Sequence, residues 1–244
     1  MGLLQIRNLH KSFGGNHAVN DVSFDLMAGE ILGLIGPNGS GKTTVLNMLS
    51  GFMTPDAGTV TLAGETILDK LPEQLAHLGV LRMFQMTRVF TRISGFDNLL
   101  TAGMAMGLGL KDCERRAHEL MAELTLDHVK YLDAGQLSGG QKKLLEFGMC
   151  FMVPPKVALL DEPFAAVHPV MREVMANFIR SRHRQGQTFL LVSHDMPIVV
   201  ELCQRAVCMN AGKVIAMGET REVLQDRAVM EAYLGDAPAE VTAA

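Results

Sequence analysis

Nine consecutive residues, Gly36-Pro37-Asn38-Gly39-Ser40-Gly41-Lys42-Thr43-Thr44, gather three glycines, one amine and three hydroxyls in a single short loop. The spacing Gly36-x4-Gly41-Lys42-Thr43 is that of a phosphate-binding loop. Glycines let successive backbone N–H groups turn inward and approach phosphate oxygens closely. The apolar run Ile31–Ile35 ahead of the loop has strand length. Residues 45–50 behind it read as a helix whose positive end faces the same anion. Lys42 is placed to reach the β- and γ-phosphates, and the Thr43 hydroxyl to ligate Mg²⁺. A glycine-rich turn without a ligand is the competing reading, and the strand before it and helix after it argue against one. The stretch implies that the chain binds a nucleoside triphosphate.

Two further groups can do chemistry on such a ligand. Leu137-Ser138-Gly139-Gly140-Gln141 stands at the start of a helix, with Lys142-Lys143 behind it. A serine and two glycines at a helix N-terminus again combine backbone N–H groups, a hydroxyl and the helix dipole into an anion site. An ordinary N-cap by Ser138, with the glycines serving a turn, is the alternative; it leaves Gln141 without a purpose. Asp161 and Glu162 close a second apolar run, 157–160. A solvated turn could hold two adjacent acids, but a charge at the end of a buried strand needs a compensating cation.

With these motifs in this order, the sequence resembles the ATP-binding cassette family, the nucleotide-binding subunits of membrane transporters. The resemblance runs from residue 3 to about 234. Residues 36–44 match the family's phosphate loop, 137–141 its signature motif and 157–161 its Mg²⁺-site strand. Glu162 matches the catalytic carboxylate, Gln85 the glutamine loop and His194 the switch histidine. Phe13 falls where the family places an aromatic on the adenine; packing is its other reading. Finer texture resembles the branched-chain amino acid importer subgroup: Phe13-Gly14-Gly15, Arg82-Met83-Phe84-Gln85, Glu146, and 232–235 near the end.

The resemblance implies Mg²⁺-dependent ATP hydrolysis coupled to transport. Asp161 holds Mg²⁺ through water, Glu162 orients and deprotonates the attacking water, Gln85 touches both, and His194 hydrogen-bonds the γ-phosphate. A surface glutamine and a core-capping histidine are the plain alternatives for the last two. Ser138, Gly139, Gly140 and Gln141 close over the nucleotide of a second ATPase subunit, a copy or a paralogue, placed head to tail. Integral permease subunits, met through the apolar loop of Met86, Val89, Phe90 and Ile93, and an extracytoplasmic solute-binding protein complete the expected partners. A packed core face is the competing reading of those four residues. The expected location is the cytoplasmic face of the inner or plasma membrane. Import of branched-chain amino acids or a related small polar solute is the leading reading. A soluble cassette ATPase acting on DNA or the ribosome is the alternative, but residues between the phosphate loop and signature lack the sustained heptads of a coiled coil. A binding module with dead chemistry is disfavoured by the presence of Lys42, Asp161, Glu162 and His194.

One departure stands out. Beyond Glu162 the family shows a glycine and then Asp or Asn, where this chain has Ala166 and His168. Ala166 is expected to reduce backbone freedom. His168 is expected to make activity pH-sensitive near the ordinary histidine value of about 6.5.

The elements that must position these residues alternate between strand and helix, which argues for an α/β fold: a P-loop NTPase core with a mostly parallel sheet, an antiparallel β flank and an inserted helical lobe. Strands are expected at 3–7, 22–27, 31–35, 59–63, 80–85, 157–161, 188–193 and as a pair near 205–217. Lys11–Gly15 is read as a turn. Helices are expected at 45–50, 72–78, 139–153, 170–184 and up to Leu234. Ala117, Leu120, Met121 and Leu124 mark one buried helix face. The domain is expected to span 1–235, with the helical lobe at about 86–153 and a frayed tail at 236–244.

Composition sets the outer limits. The 244 residues suit one large domain. Twenty-two basic and 26 acidic residues give a formal charge of −4, which argues against a nucleic-acid surface. Cys113, Cys150, Cys203 and Cys208 show no metal-ligand spacing and read as free buried thiols in a reducing compartment. No signal-peptide layout opens the chain, and no apolar run reaches the ~18 residues of a membrane span.

Overall fold

The computed structural model describes residues 2–234. In chain order the strands are β1 (Leu4–Phe13), β2 (Asn16–Leu26), β3 (Ile31–Ile35), β4 (Ala57–Leu62), β5 (Glu65–Thr66), β6 (Val80–Met83), β7 (Val157–Asp161), β8 (Thr188–Val192), β9 (Arg205–Asn210) and β10 (Lys213–Glu219). The helices are α1 (Lys42–Leu49), α2 (Pro72–Leu78), α3 (Gly95–Ala105), α4 (Leu110–Glu123), α5 (Gly139–Cys150), α6 (Pro169–Arg184), α7 (Met196–Leu202), α8 (Thr220–Gln225) and α9 (Arg227–Leu234). They divide into two compact units, one of residues 2–27, 31–69 and 191–234, the other of 28–30 and 70–190.

The first unit contains an antiparallel sheet in the order β2-β1-β4-β5, and a second run, β10-β9-β3, in which β3 is parallel to β9 and β9 antiparallel to β10. The expected α/β fold with an antiparallel flank is what forms. The flanking strands are longer than their apolar alternation: β1 and β2 pair through Ser12↔His17 and Phe13↔Asn16, so the turn expected over Lys11–Gly15 shrinks to Gly14 and Gly15. Three register shifts along this pair break the period of two, which hid the polar half of the hairpin from the sequence. The β9–β10 hairpin turns where Asn210-Ala211-Gly212 predicts.

In the second unit the order is β8-β7-β6, with β6 and β7 parallel. β7 and β8 are buried at all five positions each, as strands covered on both faces must be. Phe147 and Phe151 of α5, Phe178 of α6 and Phe189 of β8 form one aromatic cluster with ring centroids 5.0–6.0 Å apart. The periodic face of α4 is buried, with Ala117, Leu120 and Met121 almost inaccessible and Leu124 following at its C-terminus. Helix α5 stops at Cys150, three residues short of the expected end, because Phe151 folds back into the aromatic cluster before Pro154 is reached. Helix α7 was not expected; Asp195 caps it by accepting from the Ile198 N–H, and Pro197 fits its first turn. None of the four cysteines is in a disulfide; three are buried and Cys150 partly so. The tail expected from residue 236 lies outside the described residues.

One buried ion pair ties two strands of this unit. The Arg82 guanidinium, on β6, donates to a carboxylate oxygen of Asp161 at the end of β7 over 2.7 Å, and the two side chains are 4% and 6% exposed. Removing one partner of such a pair strands the other charge in the interior. Arg82→Met is therefore expected to lower unfolding free energy by about 3 kcal/mol. Adding Asp161→Leu should restore most of that loss, with denaturant midpoints of the single and double variants as the measurement.

Candidate active site

The phosphate loop lies in the first unit, between β3 and α1. Gly36 and Gly41 are required by contact as well as by conformation. A Cβ on Gly36 (φ +139) would lie 2.1 Å from the Met209 carbonyl oxygen, and one on Gly41 (φ +103) 2.3 Å from that of Ala18. The β9–β10 turn backs the loop, the Gly212 N–H donating to the Ser40 carbonyl over 3.1 Å. Pro37 and Ser40 are buried while Asn38 and Gly39 are exposed at the rim. The Lys42 ammonium is buried, donating to the carbonyls of Gly36 at 2.7 Å and Pro37 at 2.8 Å. Helix α1 begins at Lys42 itself, three residues earlier than expected. Its N-cap is Gly41, it has no side-chain cap, and its first turn has no acidic residue. The first N–H groups of a helix have no partner within the helix itself. That is the state a bound phosphate completes. Thr43 is exposed and Thr44 half-buried on that first turn. The residues present fit a nucleotide's phosphates.

Two other candidates share this unit. Phe13, at the end of β1, is 51% exposed, with the Lys11 ammonium 5.9 Å from its ring centroid. His194, between β8 and α7, is exposed, so the core-capping alternative does not hold for it. At the other end of the chain, the Tyr233 hydroxyl accepts from the Gly36 N–H over 2.7 Å, tying α9 to the start of the phosphate loop.

The acids, the glutamine and the signature lie in the second unit. The cation that Asp161 needs at the end of β7 is present in the fold itself as Arg82, so the argument from Asp161's buried charge to a metal ion no longer stands alone. Glu162, next in the chain, adopts φ +49, and Ala166 adopts φ +56. The left-handed region costs an L-residue on the order of 1–2 kcal/mol. Ala166 thus takes the turn at the cost its Cβ imposes. His168 is the N-cap of α6, its Nδ1 accepting from the Val170 N–H at 3.4 Å.

Gln85 is exposed, and its backbone is anchored from α5. The Lys143 ammonium donates to the carbonyls of Gln85 at 3.3 Å, Glu162 at 3.2 Å and Ala165 at 3.4 Å. One turn on, the Glu146 carboxylate accepts from the backbone N–H groups of Arg88 and Phe84, and burial pushes it up to about 7. Burial also lowers the Lys143 ammonium, against the pull of Glu146, Glu162 and Asp161. Two guanidiniums lie over the Phe84 ring, Arg88 at 3.9 Å and Arg82 at 4.7 Å from its centroid. At the start of α5 the N-cap reading of the signature is realised. The Ser138 hydroxyl accepts from the Gln141 N–H, and the Gln141 amide oxygen from the Ser138 N–H, so the capping box gives Gln141 a purpose. Gly140 backs onto Met171, while a Cβ on Gly139 would meet nothing within 4 Å.

Three residues of this site escaped the sequence reading of chemistry: Arg82, Lys143 and Glu146. Their signal was present in a plain form. Lys143 and Glu146 are charges set three apart among Leu144, Leu145 and Phe147, an apolar stretch in which a charge has to find a partner.

The sequence profile described as ABC transporter matches residues 19–165. A probable branched-chain amino acid transport ATP-binding protein, LivG, of Archaeoglobus fulgidus is 36% identical, covering 99% of this chain and 98% of its own length. The high-affinity LivG of Salmonella typhimurium is 37% identical over 96% and 98%. The lipopolysaccharide export system ATP-binding protein LptB of Escherichia coli is 35% identical over 97% and 98%. A crystal structure of an ATP-binding cassette of an ABC transporter in its ADP conformation superposes with a TM-score of 0.85 at 33% identity, covering 97% of this chain and all of that one. A nucleotide-free cassette superposes at 0.86 with 32% identity, covering 96% and 99%. With a phosphate loop, a capped glycine signature and a strand-end acid pair in family order, and relatives aligned over nearly their whole length, the chain belongs to the ATP-binding cassette family as an ATP-hydrolysing transporter subunit.

Proposed function

We propose that this subunit powers the import of branched-chain amino acids or a closely related small polar solute. The observation that carries the reading is identity of 36–37% to two LivG proteins along nearly the whole of each chain. The whole of 1–235 acts as one cassette, with about 86–153 as its helical lobe. Phe13 stacks on adenine. Residues 36–44 wrap the phosphates, and Lys42 leaves its carbonyl partners for the β- and γ-oxygens. Thr43, Gln85 and Asp161 offer a hydroxyl, an amide oxygen and a carboxylate, the hard oxygen donors that Mg²⁺ prefers. The ion, when bound, neutralises charge on the β- and γ-oxygens. Glu162 holds the attacking water and accepts its proton, while His194 donates to the γ-phosphate. Ser138, Gly139, Gly140 and Gln141 of one subunit close over the nucleotide of a second, so each site needs two chains.

The loop after Gln85 supports a permease partner at the cytoplasmic membrane face. Met86 is 81% and Phe90 56% exposed, with Val89 and Ile93 half-buried, so the packed-face alternative fails for the first two. Among the described residues no helix is long and apolar enough to cross a membrane. Export is a second reading, favoured by the 35% identity to LptB.

Two measurements test this. Glu162→Gln should lower kcat for ATP by on the order of a hundredfold or more, the usual contribution of general-base catalysis. Its nucleotide affinity should stay within a few-fold, whereas Lys42→Ala should lose binding of a fluorescent ATP analogue. Tagged Glu162→Gln should then be extracted from native membranes with Mg·ATP and its companions identified by mass spectrometry. Two hydrophobic permease chains, and turnover stimulated by leucine with its binding protein, are the expected outcome. Co-purified lipopolysaccharide-handling chains would establish export instead, and ribosomal proteins or DNA would remove the chain from transport.

A further inference from the structure

Helix α5 sends two charged side chains inward one turn apart, and both end on backbone. Lys143 and Glu146 are each 5% exposed. Lys143 gathers three carbonyls from two separate loops, those of Gln85, Glu162 and Ala165. Glu146 takes the N–H groups of Phe84 and Arg88, which bracket Gln85. Residues three apart on a helix share a face, so the two grips form one unit. The grip on the acid loop bears on strained backbone, because Glu162 at φ +49 persists only where its surroundings hold it. A donor to its carbonyl from a rigid helix is such a constraint.

Packing does not require these charges. Leu144, Leu145 and Phe147 are 0–1% exposed and fill the core beside them. Each charge is disfavoured where it lies: burial lowers Lys143 and raises Glu146 to about 7, and one Glu146 oxygen is buried without a hydrogen-bond partner. A helix that keeps two costly charges on catalytic loops, where apolar residues of similar volume would pack, keeps them for what they hold.

We infer that Lys143 and Glu146 are positioning residues, through which the placement of α5, and hence of the signature at its N-terminus, is carried to the backbone of Gln85 and Glu162. Signature engagement and hydrolysis are then linked mechanically inside one chain. The inference rests on the proposed roles of Gln85 and Glu162. Neither residue acts on the reacting atoms, so the expected loss falls on kcat and not on nucleotide binding.

The test compares full-length Lys143→Met, which keeps an unbranched apolar stem and removes the donors, with Lys143→Arg and Glu146→Met. Three quantities are read: kcat and KM for ATP, the Kd of a fluorescent ATP analogue, and hydrogen–deuterium exchange of peptides covering 84–88 and 162–166 without nucleotide. Lys143→Met and Glu146→Met are expected to lower kcat at least tenfold with Kd within twofold. Exchange should speed up in the 84–88 peptide for both variants, and in the 162–166 peptide for Lys143→Met alone. Lys143→Arg should recover most of kcat. Unchanged kcat in folded Lys143→Met overturns the inference, as does a fall in kcat matched by an equal rise in Kd. If Lys143→Met fails to fold, Glu146→Met with normal kcat and normal exchange at 84–88 overturns it. A Glu162→Gln control separates the two levels: turnover retained there defeats the site assignment, whereas turnover lost there and kept in Lys143→Met defeats only the positioning role.

Discussion

β3, β7 and β8 bury all five of their residues, and a strand covered on both faces can carry polar chemistry only at its ends. The phosphate loop follows β3, Asp161 and Glu162 stand at the end of β7, and Ser193 and His194 follow β8. In open α/β sheets the ligand lies beyond the carboxyl ends of the strands for this reason. The glycines, the acids and the histidine are separated by long stretches of sequence, yet each answers to the same restriction.

That arrangement brings charge to the border of the core, and the fold meets it with backbone and fixed cations. Arg82 balances Asp161, and Lys143 collects carbonyls at the turn beyond it. Glu146 is the counterpart, a carboxylate held by N–H donors. A buried carboxylate raised to about 7 is stabilised relative to the unfolded chain only while protonated. Its contribution is complete below the ordinary glutamate value and is lost as pH rises through 7. The Glu146 carboxylate therefore gains no stability from its own ionisation at neutral pH.

What the sequence could show followed from how local each signal was. The phosphate loop was legible because Gly36, Gly41, Lys42 and Thr43 act within one turn, and β7 because an uninterrupted apolar run admits few other fates. The hairpin of β1 and β2 was half-hidden, because its register shifts scramble the alternation. Helix α7 was missed although Asp195 and Pro197 are an N-cap and first-turn signal, since seven residues leave little periodicity to detect. What Arg82, Lys143 and Glu146 hold was illegible for another reason. Their partners are a carboxylate 79 residues away and backbone atoms of distant loops, and no spacing rule reaches that far.

The two glycine-bearing helix starts, alike in sequence, are physically unlike. Helix α1 starts from Gly41 and has no side-chain cap. Helix α5 is closed by the reciprocal bonds of Ser138 and Gln141, which leave the Gly139 and Gly140 N–H groups outside the box. An anion reaching α5 gains those two donors and the dipole, but must share or displace the Ser138 hydroxyl. On the proposed roles, the first site holds phosphate firmly and the second touches it weakly. In the proposed cycle this is the required order. ATP stays on the loop of its own chain, while the signature of the other subunit engages and lets go as the γ-phosphate comes and leaves.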